Sequence, residues 1–325
     1  MREALQPIPL AEIEAARARL HGIALRTPLV RLGLPNDSPE ILLKLENLQP
    51  IGSFKLRGAV NAMAIAGTAA VANGVYTASA GNMAQGLAWG ARELGVRCRV
   101  IVPETAPHTK IAAIERLGGD VIQVPFEAWW QTLLDHRFPG IEGLFIHPFA
   151  DPSVMAGNGT IGLEILEDAP DVDAILVPYG GGGLSCGIAS AVRASRQDVQ
   201  VYAAEVETSA PFATALARGE PTSITSTPSF VDGIGGTSVF PEMWPLAREL
   251  LAGSVLASVA EVAVAVRLLV ERNRVVAEGA GAAPVAAALN RTIDAKTIVC
   301  VVSGGNIDNE TLATILRGEI PMKEH

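Results

Sequence analysis

Cysteine and histidine are scarce in this sequence, and their spacing excludes the commonest sites built from them. Three cysteines occur, Cys98, Cys186 and Cys300, far apart and without a CxxC pair. This pattern is typical of small buried residues in a reducing compartment. The five histidines, at positions 21, 108, 136, 147 and 325, form no zinc-binding spacing such as HExxH. We therefore expect no metal site and no histidine-based triad, which leaves a lysine, hydroxyls, backbone amides or a cofactor for any chemistry.

Charged residues and long apolar runs are also few. Only 18% of the residues are charged, and a net charge of −9 with a pI near 5.2 argues against a nucleic-acid or anionic-membrane partner. No apolar stretch reaches the roughly 18 uncharged residues of a membrane-spanning helix. The N-terminus, Met1 to Ala4, has an acidic residue early and lacks the apolar region of a signal peptide. We predict a cytoplasmic protein.

Hydrophobic residues, by contrast, are plentiful. They make up 49% of the 325 residues, and this length is enough for two lobes at roughly 100–200 residues per domain. Leu10 to Leu20 has the spacing of an amphipathic helix. Apolar strands, such as Cys98 to Pro103, alternate with polar or glycine turns and helices. This order predicts an α/β protein with two open, mostly parallel-sheet lobes and right-handed crossovers. We expect a larger lobe formed by residues 1–66 and 151–325, and a smaller lobe, residues 67–150, inserted into it.

Lys55 lies in the segment that best indicates chemistry. Ser53 is a suitable N-cap, so Lys55 is predicted to lie in the first turn of a helix. There the helix dipole and nearby Arg57 both disfavour the ammonium form, which favours an amine nucleophile. For a lone lysine, a solvated surface side chain is the usual alternative.

Three more short segments follow predicted strands: 79–82, 180–183 and 303–306. In open parallel sheets, ligands bind beyond the carboxyl ends of the strands. Each segment alone is also consistent with an ordinary turn or helix cap, and 157–160 is predicted to open a further helix at Ile161. The coincidence of four such segments is what indicates a ligand site.

The chemistry of these segments is complementary. The run Gly180, Gly181, Gly182 and Gly183 precedes a helix and suits a phosphate, although Glu205 leaves a dinucleotide site open. The segment from Ser79 to Asn82 suits a carboxylate plus one oxygen substituent. Ser303 could hydrogen-bond a neutral ring nitrogen. A ligand with a phosphate, a ring nitrogen, a ring oxygen and an aldehyde for Lys55 is pyridoxal phosphate.

The motifs SFKLRGA, SAGNMAQG, GNGTIGLEIL, PYGGGGL, EGAGAA and SGGN occur in this order. Together they resemble the fold type II (tryptophan synthase β-like) pyridoxal-phosphate enzymes, in the threonine/serine dehydratase and serine racemase branch. The resemblance runs from RTPL at 26–29 to SGGN at 303–306. It implies a cofactor in the cleft between the two lobes, a small-molecule amino-acid substrate and a homodimer.

By this resemblance, Lys55 would be the Schiff-base lysine and catalytic base, and Phe54 would pack on the cofactor ring. Asn82 would bond the ring oxygen and Ser303 would face the pyridine nitrogen. The remaining implied contacts are to the phosphate, from Gly180, Gly181, Gly182, Gly183 and Leu184, and to the substrate, from Ser79, Ala80, Gly81, Asn82 and Met83.

The implied reaction is dehydration of a β-hydroxy α-amino acid. Lys55 removes the Cα proton, the β-hydroxyl leaves, and the released enamine hydrolyses to a 2-oxo acid and ammonia. A serine opposite the ring nitrogen keeps that nitrogen neutral, which favours elimination over reprotonation. The expected substrate is threonine or serine, or a bulkier amino acid such as phenylserine or 3-hydroxyaspartate.

The sequence departs from the branch at several positions. Racemases resemble SSGN, and Ala80 stands where their second base would be. Met83 replaces the histidine of SAGNHAQG and favours a larger β-substituent. Glu205 matches one racemase cation ligand, but Pro211 stands where an aspartate is expected. The chain ends soon after SGGN, so we expect no C-terminal regulatory domain.

Two alternatives stay open. One is racemisation or β-replacement on the same fold. The other is a nucleotide-binding regulatory protein on a Rossmann-like scaffold, since fold alone does not determine function.

Overall fold

The computed structural model describes residues 3–34 and 39–321. The predictions about Met1, Arg2 and His325 concern residues outside these ranges. The described strands are β1 Leu29–Arg31, β2 Glu40–Leu45, β3 Val75–Ala78, β4 Cys98–Pro103, β5 Gly119–Val124, β6 Leu144–Phe145, β7 Ala174–Pro178, β8 Gln200–Val206, β9 Gly253–Ala257 and β10 Thr297–Val302. The described helices are α1 Leu10–Leu20, α2 Lys55–Val71, α3 Asn82–Leu94, α4 His108–Arg116, α5 Phe126–Asp135, α6 Pro152–Asp168, α7 Gly183–Ser195, α8 Pro211–Arg218, α9 Trp244–Leu250, α10 Val259–Leu268, α11 Gly279–Leu289 and α12 Asn309–Leu316.

The larger sheet has six strands in the order β1-β2-β10-β7-β8-β9. Its neighbours run parallel except for β1, which pairs antiparallel with β2. All five residues of β7 are buried, as are five of the six residues of β10. Such continuous apolar strands are expected where helices cover both faces of a sheet. The carboxyl ends of β2, β10 and β7 therefore lie side by side at one edge.

The smaller sheet has four parallel strands in the order β5-β4-β3-β6. All four occur between β2 and β7 in the chain. The prediction of two mostly parallel sheets is confirmed. The lobe boundaries at residues 66 and 150 stay a prediction. Hereafter, the larger and the smaller lobe are the two sheets with the helices packed on them.

Helices α2, α6 and α7 pack closely because glycines face neighbouring backbones. A Cβ on Gly157 of α6 would stand 2.5 Å from the carbonyl oxygen of Arg57 in α2. A Cβ on Gly187 of α7 would stand 2.5 Å from the carbonyl oxygen of Met155 in α6. Close packing against α6 thus fixes the position of α2.

The start of α6 corrects one expectation. The helix does not open at Gly157 to Thr160; it begins at Pro152, and the Asp151 carboxylate accepts hydrogen bonds from the backbone N–H groups of Ser153 and Val154. The Asp-Pro pair is a strong helix start, whereas the glycines of the GNGT segment serve helix contacts rather than a turn. The bounds predicted for α1 and β4 are confirmed. No helix in the described ranges is both long and apolar enough to cross a membrane.

Candidate active site

Three of the four predicted segments meet directly. Ser53 and Gly304 form an isolated antiparallel bridge, and the Phe54 N–H donates to the Ser303 carbonyl oxygen at 3.0 Å. The Asn306 side chain donates to Oδ1 of Asn82 at 2.8 Å. The start of α2, the start of α3 and the segment after β10 therefore form one site at the carboxyl ends of their strands.

The glycine run joins this site through the segment 147–150. The Lys55 Nζ donates to the carbonyl oxygen of Pro148 at 2.5 Å. The next side chain, Phe149, lies against Gly181, where an added Cβ would stand 2.2 Å from the phenyl ring. Gly182 has φ 87° at the start of α7, a conformation that glycine adopts without strain. Lys55 and the glycine run thus share the same short segment as a neighbour.

Lys55 has the electrostatics of an amine nucleophile, but for a different reason from the one expected. Desolvation by burial lowers the pKa of Lys55 to about 8, and Nζ lies 5.1 Å from the centroid of the Phe54 ring. Ser53 is not the N-cap: Phe54 occupies that position without a side-chain cap, and the Ser53 hydroxyl has no hydrogen-bond partner.

Arg57 is turned away from Lys55 and neutralised. It belongs to a buried charge cluster of two cations and two anions: Lys44, Glu46, Arg57 and Glu164. The guanidinium donates to Glu46 at 2.8 Å and to Glu164 at 2.6 Å, and Lys44 donates to Glu164 at 2.6 Å. All four side chains are at most 7% exposed. Because its charge is matched, Arg57 does not lower the pKa of Lys55.

Glu278, at the start of α11, is a site residue that sequence reasoning missed. Its Oε1 accepts from the Asn82 side chain at 2.8 Å. Burial, with repulsion from Asp232, raises the pKa of Glu278 to about 7. Glu278 accepts from the Asn82 NH2 group and Asn306 donates to its Oδ1, so these two residues fix the orientation of the Asn82 amide. The EGAGAA motif was the available signal, but nothing in its spacing pointed to Asn82.

The remaining predicted contact residues differ in how exposed they are. The Ser79 hydroxyl accepts from the Gly81 N–H at 3.2 Å, and a Cβ on Gly81 would have no atom within 4 Å, so the segment borders open space. Ala80 is partly buried and Leu184 is 6% exposed. Met83 is 1% exposed and packs in the apolar cluster of Leu56, so it gives no support to a larger substrate.

Glu205 is engaged in hydrogen bonds within the larger lobe, which gives no support to a ribose or cation site there. Its carboxylate accepts from the backbone N–H groups of Phe212 and Ala213, both at 2.8 Å, and from the Ser254 hydroxyl at 2.6 Å. It therefore caps the first turn of α8.

These residues fit pyridoxal phosphate. The N-terminus of α7 has no side-chain cap, so its backbone N–H groups are available to a phosphate. Two buried hydroxyls near the site, of Ser53 and Tyr179, have no partner. The amine of Lys55, with its lowered pKa, suits an aldehyde.

Comparisons with known proteins agree with this fit. The family model described as pyridoxal-phosphate dependent enzyme matches residues 22–304. L-threonine ammonia-lyase of Geobacter sulfurreducens is 41% identical over 95% of this chain and 78% of its own length. The catabolic L-threonine dehydratase of Escherichia coli is 36% identical over 95% of this chain and 96% of its own.

Solved structures similar to this chain include a serine racemase from Dictyostelium discoideum. It superposes with a TM-score of 0.85 at 32% identity, over 93% of this chain and 100% of the racemase. The chain therefore belongs to the fold type II pyridoxal-phosphate-dependent enzymes, in the threonine/serine dehydratase family, and its cofactor is pyridoxal phosphate.

Proposed function

We propose that the protein is an ammonia-lyase that converts a β-hydroxy α-amino acid, of the threonine or serine type, into a 2-oxo acid and ammonia. The observation that carries the proposal is the Lys55 amine, with a pKa lowered to about 8, held 2.5 Å from the Pro148 carbonyl oxygen beside the glycine run. The names of the relatives, L-threonine ammonia-lyase and L-threonine dehydratase, support the same reaction. Family membership favours this enzyme over a nucleotide-binding regulatory protein.

The proposed cofactor contacts follow from the placement of the residues. Lys55 would carry the cofactor, Phe54 would pack on its ring, and Asn82 and Ser303 would bond its ring oxygen and ring nitrogen. The proposed phosphate contacts are the backbone groups of Gly180, Gly181, Gly182, Gly183 and Leu184. When bound there, pyridoxal phosphate stabilises the negative charge that develops at the substrate Cα.

Lys55 is the proposed acid–base group. With a pKa of about 8, roughly a tenth of its amine is neutral at pH 7, far more than for a solvated lysine, so Nζ can take the Cα proton. The same nitrogen then holds a proton that it can give to the departing β-hydroxyl. The Pro148 carbonyl oxygen keeps Nζ oriented by accepting a hydrogen bond from it.

The segment from Ser79 to Asn82 is the proposed site of the substrate carboxylate, because it borders open space and precedes α3. Ala80 has no group that could carry a proton on the opposite face. Elimination is therefore favoured over racemisation, although a serine racemase is among the similar structures. The lobe boundaries at residues 66 and 150, a homodimer and a cytoplasmic location complete the proposal.

The test is 2-oxo acid formation, followed by mass spectrometry, from L-serine, L-threonine, phenylserine and 3-hydroxyaspartate. We expect at least one of them to give its oxo acid, and Lys55→Ala to abolish turnover. Borohydride should bleach the cofactor absorbance band of the wild type and attach the cofactor permanently to Lys55. A cofactor band that shifts with these amino acids without oxo acid formation would reject elimination.

A further inference from the structure

A row of aromatic side chains leads from the glycine run to the surface of the smaller lobe. We define the aromatic row as Phe149, Phe240, Trp130, Trp129 and Phe126. Neighbouring ring centroids in this order are 4.8, 5.4, 6.2 and 5.5 Å apart. These distances are those of stacked or edge-to-face aromatic pairs. The row is therefore one continuous series of ring contacts, built from the segment before α6, the segment before α9 and helix α5.

The inner end of the row lies beside the catalytic lysine. Phe149 directly follows Pro148, whose carbonyl oxygen accepts from Lys55 Nζ at 2.5 Å. The Phe149 ring covers Gly181, since a Cβ there would stand 2.2 Å from it. The row thus begins at the residue next to the hydrogen-bond partner of Lys55 and against the glycine run.

Two glycines, one in the carboxylate segment and one beside the glycine run, border open space. A Cβ on Gly236 would meet only the Gly180 carbonyl oxygen, at 3.8 Å, and a Cβ on Gly81 would meet nothing within 4 Å. Gly236 precedes Phe240 by four residues in the same segment. Phe149 and Trp130 are partly exposed, and Phe240, which contacts both rings, is 8% exposed. Small-molecule sites are commonly lined by apolar and aromatic faces of this kind, with a few polar groups at one end.

The ionisable groups along the row do not favour an anionic substituent. His136 pairs with Glu242 at 3.0 Å, and the Asp151 carboxylate caps α6. The Nδ1 of His147 accepts from the Ala150 N–H at 2.8 Å. Across the cleft, Lys110 pairs with Asp232 at 2.8 Å. Since Lys110 and His136 already have anionic partners, neither of them favours a second carboxylate on the substrate, as in 3-hydroxyaspartate.

We propose that Phe149, Phe240 and Trp130 bind the β-substituent of the substrate, and that this substituent is aromatic. The preferred substrate class is then a β-aryl-β-hydroxy α-amino acid, such as phenylserine, over threonine. This inference rests on the proposed ammonia-lyase function and specifies its substrate. Apolar contacts with a substrate side chain discriminate by about 10- to 200-fold per small group.

The experiment compares kcat/KM for threo-phenylserine and L-threonine, using the holoenzyme as wild type, Trp130→Ala and Trp130→Leu. We expect the wild type to prefer phenylserine. Trp130→Ala should lower the phenylserine-to-threonine ratio of kcat/KM by about 10-fold or more, because the variant removes a face that only the aryl group contacts. Trp130→Leu, which keeps more apolar volume, should lower the ratio less.

Trp89→Ala is the matched control. Trp89 is a partly buried tryptophan of α3 that packs on the apolar cluster of Leu56 rather than on the row. Its substitution should leave the ratio within about threefold of the wild type, since it changes packing in a different cluster. A merely structural role of Trp130 would lower both kcat/KM values equally and would overturn the proposal.

The outcomes separate the two proposals. Turnover of threonine with little or no turnover of phenylserine overturns the aromatic site and leaves the ammonia-lyase intact. Absence of oxo acid from every amino acid, with a cofactor band that responds to them, overturns the ammonia-lyase function itself.

Discussion

Among single side chains, Lys55 has a titration that can be measured directly. Its pKa of about 8 arises from burial, whereas a solvated lysine titrates near 10.5. Only the neutral amine attacks the cofactor aldehyde, so the rate at which apoprotein takes up pyridoxal phosphate should rise about tenfold per pH unit below pH 8. Above pH 8 the rate should level off.

The measurement is stopped-flow absorbance of cofactor uptake across pH 6 to 10, with a free Nα-acetyl-lysine reaction as the reference for a solvated amine (about 10.4). A rate that keeps rising to pH 10 would show that Lys55 is solvated like the reference. Such a result would contradict burial as the cause of its reactivity.

The sequence predicted which side chains meet better than it predicted why they act. The coincidence of strand ends predicted that the segments of Lys55, Asn82 and Ser303 lie together, and the structure brings these segments into contact. It could not show that Glu46 and Glu164, more than a hundred residues apart, both reach Arg57 and cancel its charge. Nor could it show that Glu278 holds Asn82. Long-range pairs of this kind depend on the fold as a whole, whereas strand-end positions follow from local order.

Among helices and strands, the buried charge cluster has the clearest consequence. Lys44 comes from β2, Glu46 from the turn after it, Arg57 from α2 and Glu164 from α6. The cluster thus fixes the start of α2, and Lys55 with it. Two cations and two anions balance only while every member is present. Removing one leaves a buried charge without its partner, which is costly.

We expect Arg57→Met to lower the free energy of unfolding by about 3–5 kcal/mol, because two buried carboxylates would then share only Lys44. The control is Arg193→Met, which breaks an exposed pair with Glu249 whose side chains are 50% and 49% exposed. It should cost about 0–1 kcal/mol. Urea unfolding of both variants checks this, and equal losses would argue against the cluster as a fixing element.

The errors at this level have a physical origin. Glycine is unfavourable inside a helix, so the sequence predicts that the helix begins only after the GNGT segment. In the structure these glycines lie inside α6 and face the backbones of other helices. Helix α11 consists largely of glycine and alanine. It shows little amphipathic pattern because it is buried almost throughout. Fully buried helices do not show the periodicity on which sequence reasoning depends.

For the molecule as a whole, the two lobes meet across the cleft that contains Lys55. An ion pair bridges it: Lys110 of α4, on the smaller lobe, contacts Asp232, beside α11 of the larger lobe, at 2.8 Å. The side chains are 35% and 40% exposed, so the pair contributes little to overall stability. Its effect should instead fall on how tightly the cleft closes over a substrate.

We expect Lys110→Met to raise KM by up to about fivefold with little change in kcat, because losing a pair worth at most about 1 kcal/mol shifts the closed-to-open ratio by that factor. High salt should raise the wild-type KM toward that of the variant, since the pair is exposed enough to be screened. The matched control is Arg97→Met, which breaks the pair with Asp120 inside the smaller lobe, at 2.6 Å. Steady-state kinetics at low and high ionic strength decide the matter: if Lys110→Met and Arg97→Met leave KM equally unchanged, the bridge does not control closure.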